Sequence, residues 1–195
     1  MKTLILAREG FLPVCILAAL AIGSVAIGAE FLAFVLTLGL IYCLWFFRNP
    51  ERIPDERDSL AFIAPIDGEV VSIESASDSV TVSIKTGFFD ARLIRSPVQS
   101  VVVSSSVSHG VAGATNYLRH AENFSFNDKV SLTLIPNRRP SRLYHSNNGS
   151  YLGERLGFFY GGTAEIALPT DSEVKVAIGA KIRAGESAIG FARAA

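Results

Sequence analysis

Histidine and cysteine, which are common ligands of transition metals, are few and scattered in this sequence. The three histidines, His109, His120 and His145, form no cluster, and each is interpreted as a surface or loop residue. Cys15 and Cys43 lie inside apolar runs, and neither has a histidine or a second cysteine at ligand spacing beside it. The sequence therefore predicts neither a metal site nor a disulfide framework.

A glycine pair followed by a hydroxyl residue stands out near the C-terminus. In Gly157-Phe-Phe-Tyr-Gly-Gly-Thr-Ala-Glu-Ile-Ala-Leu-Pro169 the pair Gly161-Gly162 interrupts an aromatic run and precedes Thr163. Two adjacent glycines before a strand indicate a backbone that bends sharply or lies closely against a neighbour. The apolar residues Ala164, Ile166 and Leu168 occupy every second position after the glycine pair. This alternation predicts a strand.

This segment resembles the C-terminal region of phosphatidylserine decarboxylases. The likeness rests on Gly153-Glu154-Arg155, on the aromatic Gly-X-Thr segment and on the strand that ends in Leu-Pro. In that family a serine follows the glycine, and the protein converts it into its own pyruvoyl cofactor. The resemblance implies that Gly162 stands at the position of the serine and that Thr163 is the neighbour retained by the family.

Two segments nearer the N-terminus carry the same resemblance. Phe47-Arg-Asn-Pro-Glu-Arg-Ile-Pro54 is similar to the family signature Phe-Arg-(Asp/Asn)-Pro-X-Arg that follows the membrane segment. Ala64-Pro-Ile-Asp-Gly68 matches the family's Pro-X-Asp-Gly, which implies a role for Asp67 in self-processing. An Asp-Gly pair before a strand is also ordinary turn chemistry, so both interpretations of Asp67 stay open here.

A fourth segment, Phe88–Pro97, resembles the family region in which a histidine serves in decarboxylation. Arg92 stands at that histidine's position, whereas Arg95 and Pro97 keep the family pattern. Arginine stays protonated far above neutral pH and cannot exchange protons as imidazole does, although it can hold a carboxylate or phosphate. The resemblance makes Phe88 and Arg95 the candidate substrate contacts.

The family's self-processing chemistry needs a hydroxyl on the residue after the glycine. That hydroxyl attacks the preceding carbonyl, and elimination then leaves a pyruvoyl group that accepts electrons during decarboxylation. Gly162 has no hydroxyl, so cleavage between Gly161 and Gly162 by this route is impossible. Thr163 is one substitute and would leave a 2-oxobutanoyl group, but its branched Cβ restricts its approach. The pair Gly149-Ser150 is another, upstream of the expected site in a polar turn.

Three hypotheses about function follow. The first is a membrane-anchored, decarboxylase-like protein that is non-catalytic and keeps a phospholipid-facing surface; no cofactor is then expected. The second is an active phosphatidylserine decarboxylase that is processed at Thr163, carries a pyruvoyl-type group and makes phosphatidylethanolamine. The third is an envelope adaptor whose lipoyl-like barrel binds protein partners.

Composition limits the partners. The chain has 195 residues with 18 basic and 18 acidic side chains, so its formal net charge is zero. No global field recruits nucleic acid or an acidic partner, and neither nucleic acid nor metal is expected. The expected partner is a membrane phospholipid of the phosphatidylserine type, with a homo-oligomer or a protein partner left open.

The apolar residues concentrate near the N-terminus. Phe11–Ala29 and Phe31–Phe47 are charge-free runs, each about as long as a bilayer core requires, and Glu30 separates them. The positive-inside bias predicts a hairpin in the cell (inner) membrane with both ends and the soluble domain on the cytoplasmic side. One long kinked helix and a re-entrant pair are the alternatives. The basic residues that set this orientation flank both outer ends: Lys2, Arg8, Arg48 and Arg52.

The predicted architecture is a membrane-anchoring segment over 1–47, a linker over 48–63 and a decarboxylase-like β domain over 64–195. Pro50 and Pro54 mark the boundary because they cannot continue a helix. Within the mostly-β domain we predict strands over 79–86 and 98–103 and one short helix over 112–119. Short strands punctuated by Gly179 and Gly185 resemble the last turns of lipoyl- and biotinyl-type barrels.

Overall fold

The structure is a computed structural model that describes residues 5–55, 60–99, 103–111, 118–126, 130–137, 139–144 and 151–193. The chain divides into two compact units, with the boundary in sequence between Glu51 and Arg52. Two helices form the first unit, and antiparallel strands form the second. The predicted order, apolar helices followed by a mostly-β domain, is therefore confirmed.

The N-terminal unit is a helical hairpin. A short 3-10 turn at Arg8–Gly10 leads into α1 (Phe11–Ala26), and α2 (Glu30–Phe46) follows after a turn in which Gly28 has φ +74°. Gly28 allows this turn because a residue without a Cβ adopts positive φ at little cost. The segment Arg8–Ala26 is long and apolar enough to cross a membrane, whereas α2 is a shorter apolar helix.

Backbone hydrogen bonds close the open end of the hairpin. The N–H of Ala7 donates to the carbonyl of Phe47 over 2.8 Å, and the N–H of Asn49 donates to the carbonyl of Ile5 over 2.9 Å. Gly10 permits this closure, because a Cβ there would stand 2.5 Å from the Cβ of Phe47. The described residues thus form two antiparallel helices, and the alternative of one long kinked helix is wrong for them.

The β domain contains thirteen strands among the described residues: β1 (Ala61–Ile63), β2 (Gly68–Ser75), β3 (Ser79–Lys85), β4 (Leu93–Arg95), β5 (Val103–Val111), β6 (Leu118–Phe126), β7 (Val130–Pro136), β8 (Arg142–Leu143), β9 (Arg155–Phe158), β10 (Gly162–Pro169), β11 (Glu173–Val174), β12 (Lys181–Ile182) and β13 (Ala188–Phe191). Seven of them form one sheet in the order β12-β2-β3-β10-β7-β6-β5. Two smaller sheets have the orders β1-β13-β11 and β4-β9-β8.

The alternating sequence predicted a strand at β10, which is confirmed, and this strand lies at the centre of the large sheet. It pairs with β3 on one side and β7 on the other, both antiparallel. Ala164, Ile166 and Leu168 are fully buried, and the residues between them are only partly buried. Strand β3 also falls where the sequence predicted it, so the core of the domain and the position of the glycine pair are fixed by two strands of clear pattern.

The predicted short helix over 112–119 is wrong where it can be tested. Residues 112–117 lie outside the described part of the chain, but Leu118 and Arg119 belong to β6. They pair with Val111 and Gly110 of β5. Strand pairing overrides the helix-permissive composition of a short run, because propensity is a weak local term. The strand predicted over 98–103 also begins late, since Val98 and Gln99 lie outside any strand.

The structure differs from the sequence prediction at the linker. Strand β1 lies inside the predicted linker 48–63, pairs with β13 and buries Phe62 and Ile63. At the other end of the chain, Gly179 and Gly185 have φ +85° and +72° and separate short strands as predicted. The likeness of these turns to a lipoyl-type barrel stays a prediction.

Candidate functional site

Asp67 is a buried carboxylate that accepts hydrogen bonds from four donors. Its side chain follows the Pro65-Ile66 turn that opens β2, and the residue is 5% exposed. The Arg52 guanidinium forms a two-pronged ion pair with it, with Nη2 at 2.7 Å from Oδ2 and Nη1 on Oδ1. The backbone N–H groups of Ala91 and Ala184 donate to it over 3.1 and 2.7 Å. Two-pronged arginine–carboxylate pairs are among the stronger hydrogen bonds in proteins.

The surroundings of Arg52 favour its charge. Burial acts to lower the pKa of the Arg52 guanidinium, but the hydrogen bond and the charge of Asp67 more than offset burial, with Glu186 and Asp90 adding to them. The pKa is therefore raised above its ordinary value. Nη1 also donates to the carbonyl of Ala184 over 3.1 Å. Arg52 thus joins the start of the β domain to Asp67 and to the turn before β13.

Arg92, which the resemblance assigns to the histidine position, is a buried side chain and 7% exposed. Its Nη1 donates to the carbonyl of Tyr160 over 3.3 Å, and its Nη2 donates to the carbonyl of Phe88 over 3.3 Å. Its own carbonyl accepts the N–H of Phe159 over 2.7 Å. Arg92 therefore holds the β3–β4 loop against the residues that lead into the glycine pair.

Gly161 and Gly162 adopt a backbone that favours glycine, with φ +125° and +148°. The carbonyl of Gly161 accepts the N–H of Asn137, and the carbonyl of Gly162 accepts the N–H of Thr86, each over 3.0 Å. A Cβ on Gly161 would stand 2.6 Å from Nη1 of Arg92. The pair is thus enclosed by β3, β7 and the arginine.

A side chain at residue 162 does not fit this arrangement. A Cβ there would overlap the carbonyl oxygen of Ile135 and would stand 3.0 Å from both Phe159 Cζ and Pro136 Cα. Two of these three neighbours are backbone atoms of β7, which cannot turn away as a flexible side chain does. A serine at residue 162 of the uncleaved chain would need that carbon, so the backbone as it stands leaves no room for such a side chain.

Thr163 is the nearest hydroxyl residue in sequence, and it lies at the start of β10 on the face opposite the core. Cross-strand register places Lys85 directly opposite Thr163, Glu69 opposite Lys85, and Lys181 opposite Glu69. Residues paired in this way point to the same face of a sheet. We call Lys181, Glu69, Lys85 and Thr163 the lysine row.

The two predicted substrate contacts differ in exposure. Phe88 is 58% exposed, on the loop that follows β3. Arg95 is 4% exposed, and its Nη1 donates to the carbonyl of Gly153 over 3.0 Å. Its side chain also packs on Gly185, where a Cβ would overlap it. Arg95 therefore supports the Gly153-Glu154-Arg155 turn from inside the domain.

The structure connects the predicted site residues Arg92, Gly161 and Asp67. Arg92 lies directly against Gly161, and Gly162 and Thr163 continue from it into β10. Asp67 reaches the same region through Ala91, the residue that precedes Arg92. No group of three or more metal-binding side chains occurs in the part of the chain that the structure describes, so the expected lack of a metal stays a prediction.

Sequence reasoning missed the role of Arg52. It was counted among the charges that set membrane orientation, although the Phe-Arg-Asn-Pro-X-Arg motif already marked it. It missed the lysine row as well, because cross-strand register between β12, β2, β3 and β10 is a tertiary property.

Comparison with known proteins identifies the class. The profile of the family described as phosphatidylserine decarboxylase matches residues 40–134. This range includes Arg52, Asp67 and Arg92 and ends before the glycine pair. No solved structure matches the chain.

Individual relatives match a larger share of the chain than the family profile does. A phosphatidylserine decarboxylase proenzyme of Geobacter sulfurreducens is 31% identical over 182 residues, which cover 82% of this chain and 81% of the relative. A proenzyme of the same name from Desulfotalea psychrophila is 29% identical, with 94% and 95% covered, and one from Burkholderia multivorans is 27% identical, with 94% of each covered. The chain belongs to the phosphatidylserine decarboxylase family.

Proposed function

We propose that the chain is a membrane-anchored member of this family that binds phospholipid and does not form a pyruvoyl group at the glycine pair. The observation that carries the proposal is the backbone at Gly162, whose position a Cβ cannot occupy without moving β7. A reaction that starts from a side-chain hydroxyl has no starting group there.

The hydrogen bonds that Asp67 accepts support the same proposal. A general base needs a free lone pair within reach of the proton that it removes. Both oxygens of Asp67 accept two hydrogen bonds each, from Arg52 and from backbone N–H groups. In this arrangement the carboxylate fixes the loops around it.

The chemistry and the contacts of Arg92 also support the proposal that no pyruvoyl group forms. A guanidinium cannot take up and release a proton near neutral pH. With Nη1 and Nη2 on two backbone carbonyls, Arg92 positions the glycine pair. The proposed role for this residue is therefore structural.

An active enzyme that is processed at Thr163 is the second candidate, and one observation favours it. The carbonyl that Thr163 would attack, that of Gly162, already accepts the N–H of Thr86 over 3.0 Å. A fixed donor on a carbonyl stabilises the negative charge that develops during attack. Such an enzyme would decarboxylate phosphatidylserine, as the names of the relatives state for them.

The intact mass of the purified full-length chain tests the proposal. We expect one uncleaved chain near 20.9 kDa. Two fragments, the smaller beginning at Thr163 with a 2-oxoacyl cap, would overturn it. The variant Thr163→Val has nearly the same shape without the hydroxyl, and its failure to cleave would then assign the nucleophile.

A second variant tests whether the missing hydroxyl alone prevents cleavage, or whether Asp67 and its neighbours have also lost the ability to support it. Gly162→Ser restores a hydroxyl at the family position, and we expect no cleavage because the new Cβ displaces β7 before the hydroxyl can be positioned. Cleavage of this variant would mean that Asp67 and its neighbours still support processing.

A further inference from the structure

We propose that His109 and His120 bind one divalent transition-metal ion, of the zinc, nickel or copper type, at the edge of the large sheet. Strands β5 and β6 pair antiparallel, and His109 stands directly opposite His120 in their register. The sequence contains three histidines, and this pairing brings two of them together. A metal site here goes beyond the proposed function, does not depend on it, and would replace the sequence-based expectation that no metal binds.

The spacing of directly opposed strand residues suits a metal ion. In an antiparallel pair the Cβ atoms of such residues are about 4.5–5.5 Å apart. Two imidazoles at this spacing can hold one ion between them, since a zinc–nitrogen bond is about 2.0–2.1 Å long. Neutral imidazole is the commonest metal ligand in proteins and suits zinc, copper and nickel better than calcium or magnesium. Water would complete the coordination.

The register also shows which residues share a face of the sheet with the two histidines. Residues two positions apart on a strand belong to the same face. The pairs Val107–Glu122 and Val111–Leu118, which stand two positions to either side of the histidine pair, are therefore on its face. Glu122 is the one charged residue among these four.

The charge on this face favours a cation. Glu122 is 7% exposed, and its Oε1 accepts the N–H of Ser141 over 3.0 Å, which fixes the carboxylate. Arg119 follows one position from the histidine pair, so it belongs to the opposite face. With neutral histidines, the histidine pair and Glu122 carry a formal charge of −1, which attracts a cation and repels an anion.

The position of β5 leaves the pair open to an ion from solution. Strand β5 is the last strand in the order of the large sheet, so among the described strands none pairs with its outer side. Sequence spacing could not reveal the site, because the two histidines are on separate strands and become neighbours only through their pairing.

Titration calorimetry of the full-length chain in detergent with Zn²⁺ tests the site. Cys15→Ser and Cys43→Ser are introduced together as the background, because thiolates also bind zinc. We expect one Zn²⁺ to bind per chain in this background.

Substitution of each histidine assigns the ligands. His109→Gln and His120→Gln should each abolish Zn²⁺ binding, because only one imidazole remains. His145→Gln makes the same change at the third histidine and is the matched control, with binding unchanged. An ion that binds the folded chain also stabilises it by mass action. Zn²⁺ should therefore raise the urea midpoint of the background and of His145→Gln, but not that of the other two variants.

A disulfide tests the pairing without a metal. In the same background, His109→Cys combined with His120→Cys should form an intramolecular disulfide on mild oxidation, because opposed strand residues have Cα atoms about 4.5–5.5 Å apart, within the range of a disulfide. His109→Cys combined with Ala121→Cys is the control and should not, since residue 121 belongs to the opposite face.

The outcomes decide between pairing and metal binding. If the disulfide forms but Zn²⁺ does not bind, the pairing is right and the metal site is wrong. Zn²⁺ binding that survives both His109→Gln and His120→Gln, or that His145→Gln also removes, would overturn the site as well. If neither the disulfide nor Zn²⁺ binding is observed, the pairing and the site fail together. None of these results bears on the glycine pair, which the intact mass tests separately.

Discussion

Asp67 shows how one residue can match a family motif and still have a structural task. Its four donors come from three separate parts of the chain, at residues 52, 91 and 184. A buried carboxylate with this many donors holds the donors in place. The turn interpretation and the site interpretation of Asp67 thus both depend on these same hydrogen bonds.

Removing Arg52 should destabilise the protein strongly. Arg52→Met leaves the Asp67 charge buried without its main partner, and we expect a loss of about 3–5 kcal/mol in the free energy of unfolding. Urea unfolding of the full-length chain in detergent measures the difference.

The matched control is Arg183→Met. Arg183 also forms an ion pair, with Glu186 at 3.0 Å, but its side chain is 68% exposed. Exposed pairs contribute about 0–1 kcal/mol. Losses of similar size in the two variants would contradict the role given to Arg52.

Gly162 provides a second prediction at this scale. Gly162→Ala should cost about 3 kcal/mol or more, because backbone strain and overlap with β7 add together. Gly179→Ala is the control, since φ is +85° there but nothing lies within 4 Å of the new Cβ. Strain alone costs about 1–2 kcal/mol. If Gly162→Ala were as stable as the control, β7 would have to move at little cost to make room for the new Cβ, which would contradict the prediction.

At the scale of elements, the hairpin places α1 against α2. Gly39 of α2 faces Leu17 of α1, and a Cβ on Gly39 would stand 3.9 Å from that leucine. Cys15 and Cys43 lie two residues from Leu17 and four residues from Gly39, one on each helix. The two thiols are therefore at a similar level of the hairpin.

This arrangement predicts that a short bis-maleimide joins Cys15 to Cys43 within one chain in detergent. One continuous helix would separate them by about 42 Å at 1.5 Å per residue, beyond the reach of the reagent. Intact mass should increase by one linker without dimer formation, and Cys43→Ser should abolish the link. If the unmodified chain carried bis-maleimide attached to one cysteine only, and no linked product, that result would argue against the hairpin.

At the scale of the whole molecule, the distribution of charge predicts orientation. Arg8 precedes the hairpin and Arg48 follows it, so both ends should face the cytoplasm. In a bacterial host, a C-terminal alkaline phosphatase fusion should be inactive, and a C-terminal fluorescent protein should fold. The chain should also resist extraction from membranes by carbonate. An active phosphatase fusion would reverse the orientation.

Short-range patterns in the sequence determined the elements that have one clear face. The lengths of the apolar runs gave the two helices, and the alternation of Ala164, Ile166 and Leu168 gave β10. These features follow from a local period, 3.6 residues for a helix and 2 for a strand, and each can be found without knowing its neighbours. The family resemblance, confirmed by the comparisons, came from equally local motifs.

Tertiary structure alone decided which residues meet. Asp67 contacts the N–H of Ala184, which is 117 residues away in sequence, and the lysine row depends on the register of four strands. Pairing with β5 put Leu118 and Arg119 into β6 where local composition predicted a helix. Sequence patterns report the environment along the chain, whereas pairing depends on the packing of distant segments, so the ion pair at Asp67 and the tight fit at Gly162 emerged only from the fold.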